Sequence, residues 1–237
     1  MKNMEQIERL RTRQRNHYHH FYNSQSLFEK GSWLEKPSAA IQKYIPVIQK
    51  TPDSRVLDLG CGPGRHAIPV AQAIQPQGGQ VTAVDHLPLA IEQLQHYGAQ
   101  YGVLNSIQTT LVEVENVEIP EQTFDWVFAV SLLEHVSSEA ELSKLLTRIE
   151  AGVISKRYVT FVIDTDVKEK KAGTNHLLEP LVECNMSASD MKKHLRQAFP
   201  SWRVVVEKEE EQNSIISRGQ GTIEQSKNVI TFLAQKY

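Results

Sequence analysis

Residues 55–67 read Arg-Val-Leu-Asp-Leu-Gly-Cys-Gly-Pro-Gly-Arg-His-Ala. A short apolar run ends in an acid, Asp58, and three glycines follow at alternate positions, Gly60, Gly62 and Gly64. Glycine has no Cβ, so the chain can turn sharply and let a ligand touch backbone. A helical pattern begins directly behind the turn. The unpaired N–H groups of its first turn aim at the same spot. Strand, glycine turn and helix therefore read as a loop that receives a ligand.

Outward from this loop, β-rich and helical runs alternate. Strands are expected at 55–59, 80–84, 106–112, 124–130, 158–163, 202–206 and 228–234. Helical patterns lie near 65–75, 88–101 and 138–150, and another at 188–198. Such alternation predicts an α/β fold with a largely parallel sheet. Val127-Phe128-Ala129-Val130 is a continuous apolar run, as in a strand covered on both faces. Ser138-x-x-Glu141 has the form of a capping box. Pro69 falls early in the first crossover helix, where a mild kink is expected rather than a break.

The last two strands have no helical pattern between them. The intervening 207–227 stretch is polar and reads as a long exposed connection, which makes the pair antiparallel. Residues 1–50 show no strand pattern. They are expected to form a helical lid or cap, with a helix near 4–20, a loop holding Trp33 and a helix near 37–49. Residues 51–237 would then form the main domain.

Composition narrows the function classes. The chain has 26 Lys plus Arg against 28 Asp plus Glu, a net charge of −2. That balance argues against a general electrostatic grip on nucleic acid, though not against a local basic patch. The two cysteines, Cys61 and Cys184, form neither a disulfide framework nor a metal-spaced pair, which fits a reducing compartment. The apolar stretch 126–133 is too short to span a bilayer, and no signal-peptide pattern opens the chain. A soluble, cytoplasmic protein is expected, of no defined oligomeric state.

The glycine loop fits two ligand classes. Gly62-Pro-Gly64-Arg-His-Ala67 matches the variant dinucleotide fingerprint G-x-G-x-x-A, so NAD fits the loop taken alone. The complete spacing Asp58-x-Gly60-x-Gly62-x-Gly64 also suits S-adenosylmethionine (SAM). The second strand ends in Asp85, placed to accept hydrogen bonds from both hydroxyls of a ribose. Such charge-assisted bonds contribute roughly 1.5–3 kcal/mol each. Asp85 supports an adenosine ligand without choosing between the two.

The segment Pro120-Glu-Gln-Thr-Phe-Asp-Trp-Val-Phe-Ala-Val-Ser-Leu-Leu-Glu-His-Val136 breaks the tie. It resembles the fourth-strand region of class I SAM-dependent methyltransferases, especially the small-molecule group, and the resemblance extends over about residues 51–163. It implies a Rossmann-like sheet of seven mostly parallel strands, ordered 3-2-1-4-5-7-6 with strand 7 antiparallel and helices on both faces. It implies a methyl transfer from SAM that leaves S-adenosylhomocysteine. By the same resemblance, Gly60, Cys61 and Gly62 would lie against the methionine part, with Cys61 lending backbone. Asp58 would hold the methionine ammonium and Asp85 the ribose. His86 and Leu87 would flank the adenine. Glu113, one methylene longer than the Asp often found there, would face the adenine amino group, and Val114 would offer a backbone N–H. Val130 and Ser131 would close the site beside the methionine.

The acceptor side is less constrained. Glu134 and His135 follow the fourth strand, and His135 is the better base, since an unperturbed imidazole titrates near ~6.5. The plain alternative is that the pair caps the loop. The run His17-Tyr-His-His-Phe-Tyr22 puts His17 and His20 at i, i+3 on a helix, a weak metal pattern. A lid contacting the acceptor through His17, His20 and Tyr22 is the better functional reading, against a plain surface helix. Trp33 would close over the methionine end or belong to the core. Arg9, Arg11, Arg13 and Arg15, with Lys168, Lys170 and Lys171, are candidates for an anionic substrate or RNA, although solvated charge is the default. No Asn-Pro-Pro-Tyr or Pro-Cys motif of DNA-base methylation occurs. A small-molecule acceptor is the leading expectation and no metal is called for. RNA methylation, a non-catalytic SAM-binding subunit and an NAD(P)-dependent oxidoreductase remain as alternatives.

Overall fold

β1 (Arg55–Leu59) lies at the middle of the sheet because its flanks are paired on both sides, by β2 (Gln80–Asp85) and by β4 (Phe124–Val130), all parallel. The computed structural model describes residues 4–218 and 221–237. β3 (Ile107–Leu111) extends the sheet beyond β2, and β5 (Val153–Lys171) beyond β4, again parallel. β8 (Gly221–Gln235) pairs antiparallel with β5, and β7 (Arg203–Arg218) pairs antiparallel with β8, so that β8 alone runs against the main strands. The order is 3-2-1-4-5-8-7, with the two-residue β6 (Leu177–Leu178) paired off-path to β5. Counting β6 renumbers the last two strands, and the arrangement is otherwise the one the resemblance implied.

Side chains on a strand alternate between faces, and each face here has its own helical cover. On one face α2 (Ala39–Ile48), α3 (Ala67–Ile74) and α4 (Pro88–Gln100) pack Ile41, Tyr44, Ile68 and Leu94 against Val56, Val81, Trp126 and Phe128. On the other, α5 (Glu139–Gly152) and α6 (Ala188–Ala198) pack Leu142, Leu145 and Leu195 against Leu57, Val127, Phe161 and Phe232. Every residue of β4 is buried, as its uninterrupted apolar run demands. Burial of each such large side chain stabilises the fold by roughly 1.5–3 kcal/mol. Ser138 accepts a hydrogen bond from the Glu141 amide at 3.2 Å and starts α5, while the Glu141 carboxylate pairs with Lys144 instead of completing the box. Pro69 is the third residue of α3, inside the first turn, where N–H groups lack intrahelical partners.

The reading of 207–227 as a long connection is corrected by the structure. β7 runs on to Arg218 and β8 starts at Gly221, so most of that stretch is paired strand. Glu207-Lys-Glu-Glu-Glu211 carries no apolar alternation because β7 is an exposed sheet edge. Charges on such an edge discourage pairing with other chains. β5 likewise runs past 163 to Lys171, with an irregularity between Thr165 and Lys168 where Asp166 takes a φ of 52°. The long ends of β5, β7 and β8 make a wing beyond the main sheet. The carboxylate of Glu169 is buried in it, bonded by Arg218 and by Gln225.

The N-terminal helix α1 (Met4–Ser24) is one turn longer than its sequence pattern. It leans on this wing, with His17 beside Arg218 and Glu169, and on the segment after β6, with Arg13 3.0 Å from Glu179. Tyr22, Leu27 and Leu34 join the same core cluster as α2–α4.

Candidate functional site

In a sheet ordered 3-2-1-4, connections leave β1 and β4 in opposite directions, and a crevice opens at their carboxyl ends. A cavity stands at that crevice. Its floor is Gly60, Val84, Asp85, Val130 and Ser131, and its roof is Arg11, Gln14, Tyr18, Tyr22 and Trp33 from the N-terminal segment. His86, Leu87, Glu113 and Val114 line it as well, so the expected adenosine residues gather at one end. His135 and Glu183 also line it.

The glycine turn is shaped by its own hydrogen bonds. Gly60 and Cys61 both donate their amides to the Val84 carbonyl, at 2.8 and 3.0 Å. Gly62 donates to Asp85 Oδ2 at 2.9 Å, and Leu87 donates to Asp85 Oδ1 at 2.9 Å. Gly64 donates to the Cys61 carbonyl. The amide of Ala67, the first residue of α3, is a donor to Asp58. The N–H groups that would cradle a pyrophosphate are thus engaged inside the protein, and a carboxylate sits at the helix start. Gly62 needs its missing side chain, for its φ is +51° and a Cβ there would come 2.9 Å from the Tyr22 hydroxyl.

The charge of the site follows from burial. Asp58 is 1 % exposed, and its Oδ2 has no hydrogen-bond partner. Burial, reinforced by the nearby Asp85 carboxylate, pushes the Asp58 pKa well up, with Arg65 opposing. Burial raises Asp85 too, against the pull of the Leu87 and Gly62 amides. Arg65 is itself lowered to about 10 by burial. It stacks 3.9 Å above the Trp33 ring and donates to the Trp33 carbonyl at 2.7 Å, holding that loop over the site. Burial drives the Cys61 thiol well above its ordinary value, and its amide and carbonyl are already taken by Val84 and Gly64, so the expectation that Cys61 lends its backbone to a ligand is corrected. Ser131 adopts φ +52°, a strained conformation for a non-glycine, at the end of β4 where the crevice opens.

SAM fits these residues on two observations. An orphaned, buried carboxylate oxygen at Asp58 awaits a cation, and the methionine part of SAM carries both an ammonium and a sulfonium. Asp85 keeps spare lone pairs for ribose hydroxyls after its two amide bonds. A dinucleotide's anionic pyrophosphate would meet amides that are already engaged and two carboxyl groups beside them.

Other sequence candidates lie elsewhere. His17 packs beside Tyr18, Phe21 and the Arg218–Glu169 pair, and burial lowers its pKa. His20 is exposed. Neither lines the cavity, and among the described residues no cluster of three metal-type ligands occurs. Glu134 is 1 % exposed, with Oε2 unpartnered. Its pKa is raised to about 7 by burial and by the Asp164 carboxylate, with His135 and Lys227 opposing. Arg11 bridges Glu115 at 3.0 Å, Glu183 at 3.5 Å and Glu113 at 4.0 Å, tying α1 to the loop after β3 and to the segment before α6. Sequence reasoning missed Gln14 and Glu183. Neither belongs to a motif, and only the fold brings them to the crevice.

Residues 56–152 match the family described as "Methyltransferase domain". A ubiquinone biosynthesis O-methyltransferase of Rickettsia prowazekii (strain Madrid E) is 35% identical over 120 residues, covering 50% of this chain and 42% of that protein. The enzyme of the same name from Xylella fastidiosa (strain M23) is 30% identical over 123 residues, covering 48% of each. The matches thus span less than half the length of these curated relatives. Among solved structures, TehB from Haemophilus influenzae superposes with a TM-score of 0.61 at 18% identity over 83% of this chain and 61% of that one. A putative methyltransferase from Bacillus halodurans C-125 also gives 0.61, at 11% identity over 84% and 99%. The likeness to these structures is one of fold, and the sequence match over 56–152 adds the domain. Residues 56–152 are thus similar to a methyltransferase domain, set in a sheet of the order 3-2-1-4-5-8-7.

Proposed function

We propose that this protein transfers the methyl group of SAM to a small-molecule acceptor. The observation that carries the reading is the buried Asp58–Asp85 pair beside a glycine turn whose amides are internally engaged. Such a site favours a cationic adenosine ligand. SAM, when bound, supplies an already activated methyl carbon on a positive sulfur. The protein's part is to align, enclose and handle a proton. Asp58 would bind the ammonium and Asp85 the ribose hydroxyls. Leu87 and Val114 would border the adenine, with Glu113 beside its amino group.

Residues 4–24 serve in this reading as the lid. The cavity beneath α1 measures about 70 Å³, against the ~300–1000 Å³ of ordinary ligand pockets. α1 therefore has to swing or slide for a ligand the size of SAM to enter, and its return would exclude water. The arginines of α1 support a small acceptor over RNA, because Arg9, Arg11, Arg13 and Arg15 each pair with glutamates. The relatives named as ubiquinone biosynthesis O-methyltransferases support a small hydroxyl-bearing acceptor.

Titration calorimetry against SAM, S-adenosylhomocysteine and NADH tests the cofactor. Binding of the first two and none of NADH is expected, and binding of NADH alone would sink the proposal. Radiolabelled SAM offered with a phenol, a thiol and an amine then reports the acceptor class.

A further inference from the structure

Three side chains from separate elements meet at one edge of the cavity. His135 follows β4, Glu183 lies between β6 and α6, and Gln14 comes from α1. His135 Nδ1 is 3.1 Å from Glu183 Oε2 and 2.8 Å from Gln14 Nε2. The Gln14 amide group also donates to the Leu181 carbonyl at 2.8 Å and to Glu183 Oε2 at 2.7 Å. An amide NH2 has two hydrogens, and those two oxygens take both. None remains for Nδ1, so Nδ1 carries its own proton and donates it to Glu183. The lone pair of the neutral ring is then on Nε2, which makes no hydrogen bond among the described residues of a ring that lines the cavity. The Glu183 side chain is 1 % exposed, so its charge is not screened by solvent.

We propose that Glu183 is a positioning residue that holds His135 as the Nδ1–H tautomer, that His135 Nε2 takes the proton of a hydroxyl acceptor, and that closure of α1 completes this arrangement through Gln14. The proposal rests on the methyltransferase reading. It also narrows the acceptor. A neutral amine attacks with its own lone pair and needs no base beforehand, whereas a phenol-type hydroxyl, with a pKa near ~10, does. In the step, the acceptor oxygen forms a bond to the methyl carbon while its proton passes to Nε2. The carbon–sulfur bond breaks with its electron pair left on sulfur, giving the neutral thioether. The imidazolium pairs with Glu183 until it loses its proton to water. The groups facing His135 agree with this use. Burial alone would lower its pKa, but the bond to Glu183 and the carboxylates of Glu134, Glu183 and Asp164 outweigh it and hold the ring above its ordinary value. Arg11, 3.5 Å from Glu183, sets a limit on that effect.

The test uses the full chain with ¹⁵N-labelled histidine and S-adenosylhomocysteine present. Nitrogen shifts from two-dimensional NMR report which ring atom is protonated. The wild type is expected to show His135 as the Nδ1–H tautomer with a pKa above 6.5. E183Q is expected to lower that pKa by about one unit or more, and Q14A to lower it by less. A wild-type His135 protonated on Nε2, or a pKa the same in E183Q, overturns the proposal. If E183Q does not fold, the wild-type tautomer alone decides. Calorimetric affinity for S-adenosylhomocysteine is measured on the same samples. It should change little in E183Q, so failure of the cofactor reading is seen separately from failure of this one.

Discussion

The amide of Gly62 donates to Asp85 Oδ2 at 2.9 Å, which bolts the glycine turn after β1 to the tip of β2. One carboxylate thereby shapes the loop and faces the cavity. The amide of Leu87, bonded to Oδ1, brings the loop after β2 into the same anchor.

Asp85→Ala removes that anchor. Affinity for SAM is expected to fall by ~10-fold or more, from the loss of charge-assisted hydrogen bonds. Calorimetry checks it, and an unchanged affinity would show that the ribose is held by other groups.

Gly62→Ala adds a Cβ to a residue with φ +51° and brings it within 2.9 Å of the Tyr22 hydroxyl. The left-handed conformation costs a non-glycine residue roughly 1–2 kcal/mol. A lower urea midpoint and weaker SAM binding are expected. The double variant with Tyr22→Phe should recover part of the loss, since the nearest clashing atom is gone. No recovery would assign the whole effect to the backbone.

Arg11→Ala unties α1 from Glu113, Glu115 and Glu183. Faster amide hydrogen exchange over 4–24 is expected, with little change in β4. Exchange in α1 as slow as in the wild type would show that its apolar contacts alone hold it closed.

Glu134 gives a pH dependence of definite sign. Its folded pKa of about 7 lies above the ordinary 4.5, raised by burial and by Asp164, so the folded state binds the proton more tightly. Its favourable contribution is present below pH ~4.5 and is lost as pH rises toward about 7. The loss is on the order of 3 kcal/mol. Glu134→Gln should flatten the stability profile between pH 5 and 8 in urea titrations. A variant with the same slope as wild type would place the titrating group elsewhere, Asp58 being the next candidate.

Much of the fold was legible because it is written locally. The strand–glycine–helix unit at 55–74, the fully buried β4 and the Ser138 cap each follow from neighbouring residues. The terminal hairpin was legible only where it is apolar, at 202–206 and 228–234. Glu207–Glu211 forms strand because β8 offers it a partner, and pairing of that kind leaves no mark on an exposed edge. Trp33 was open between core and lid; the fold leaves it exposed at the cavity wall, stacked on Arg65.

By itself the sequence determined the strand–glycine–helix turn, the places of Asp58 and Asp85 beside it and the alternation of strands and helices, since turns, periodicity and motif spacing act within short range; the order of strands came only from the family resemblance. Tertiary structure alone decided that the loop's amides are spent inside the protein and that α1 covers the crevice. It alone brought His135 to Glu183 across 48 residues and to Gln14 across 121. Such contacts depend on how the wing of β5, β7 and β8 meets the first helix, and no local pattern encodes that meeting.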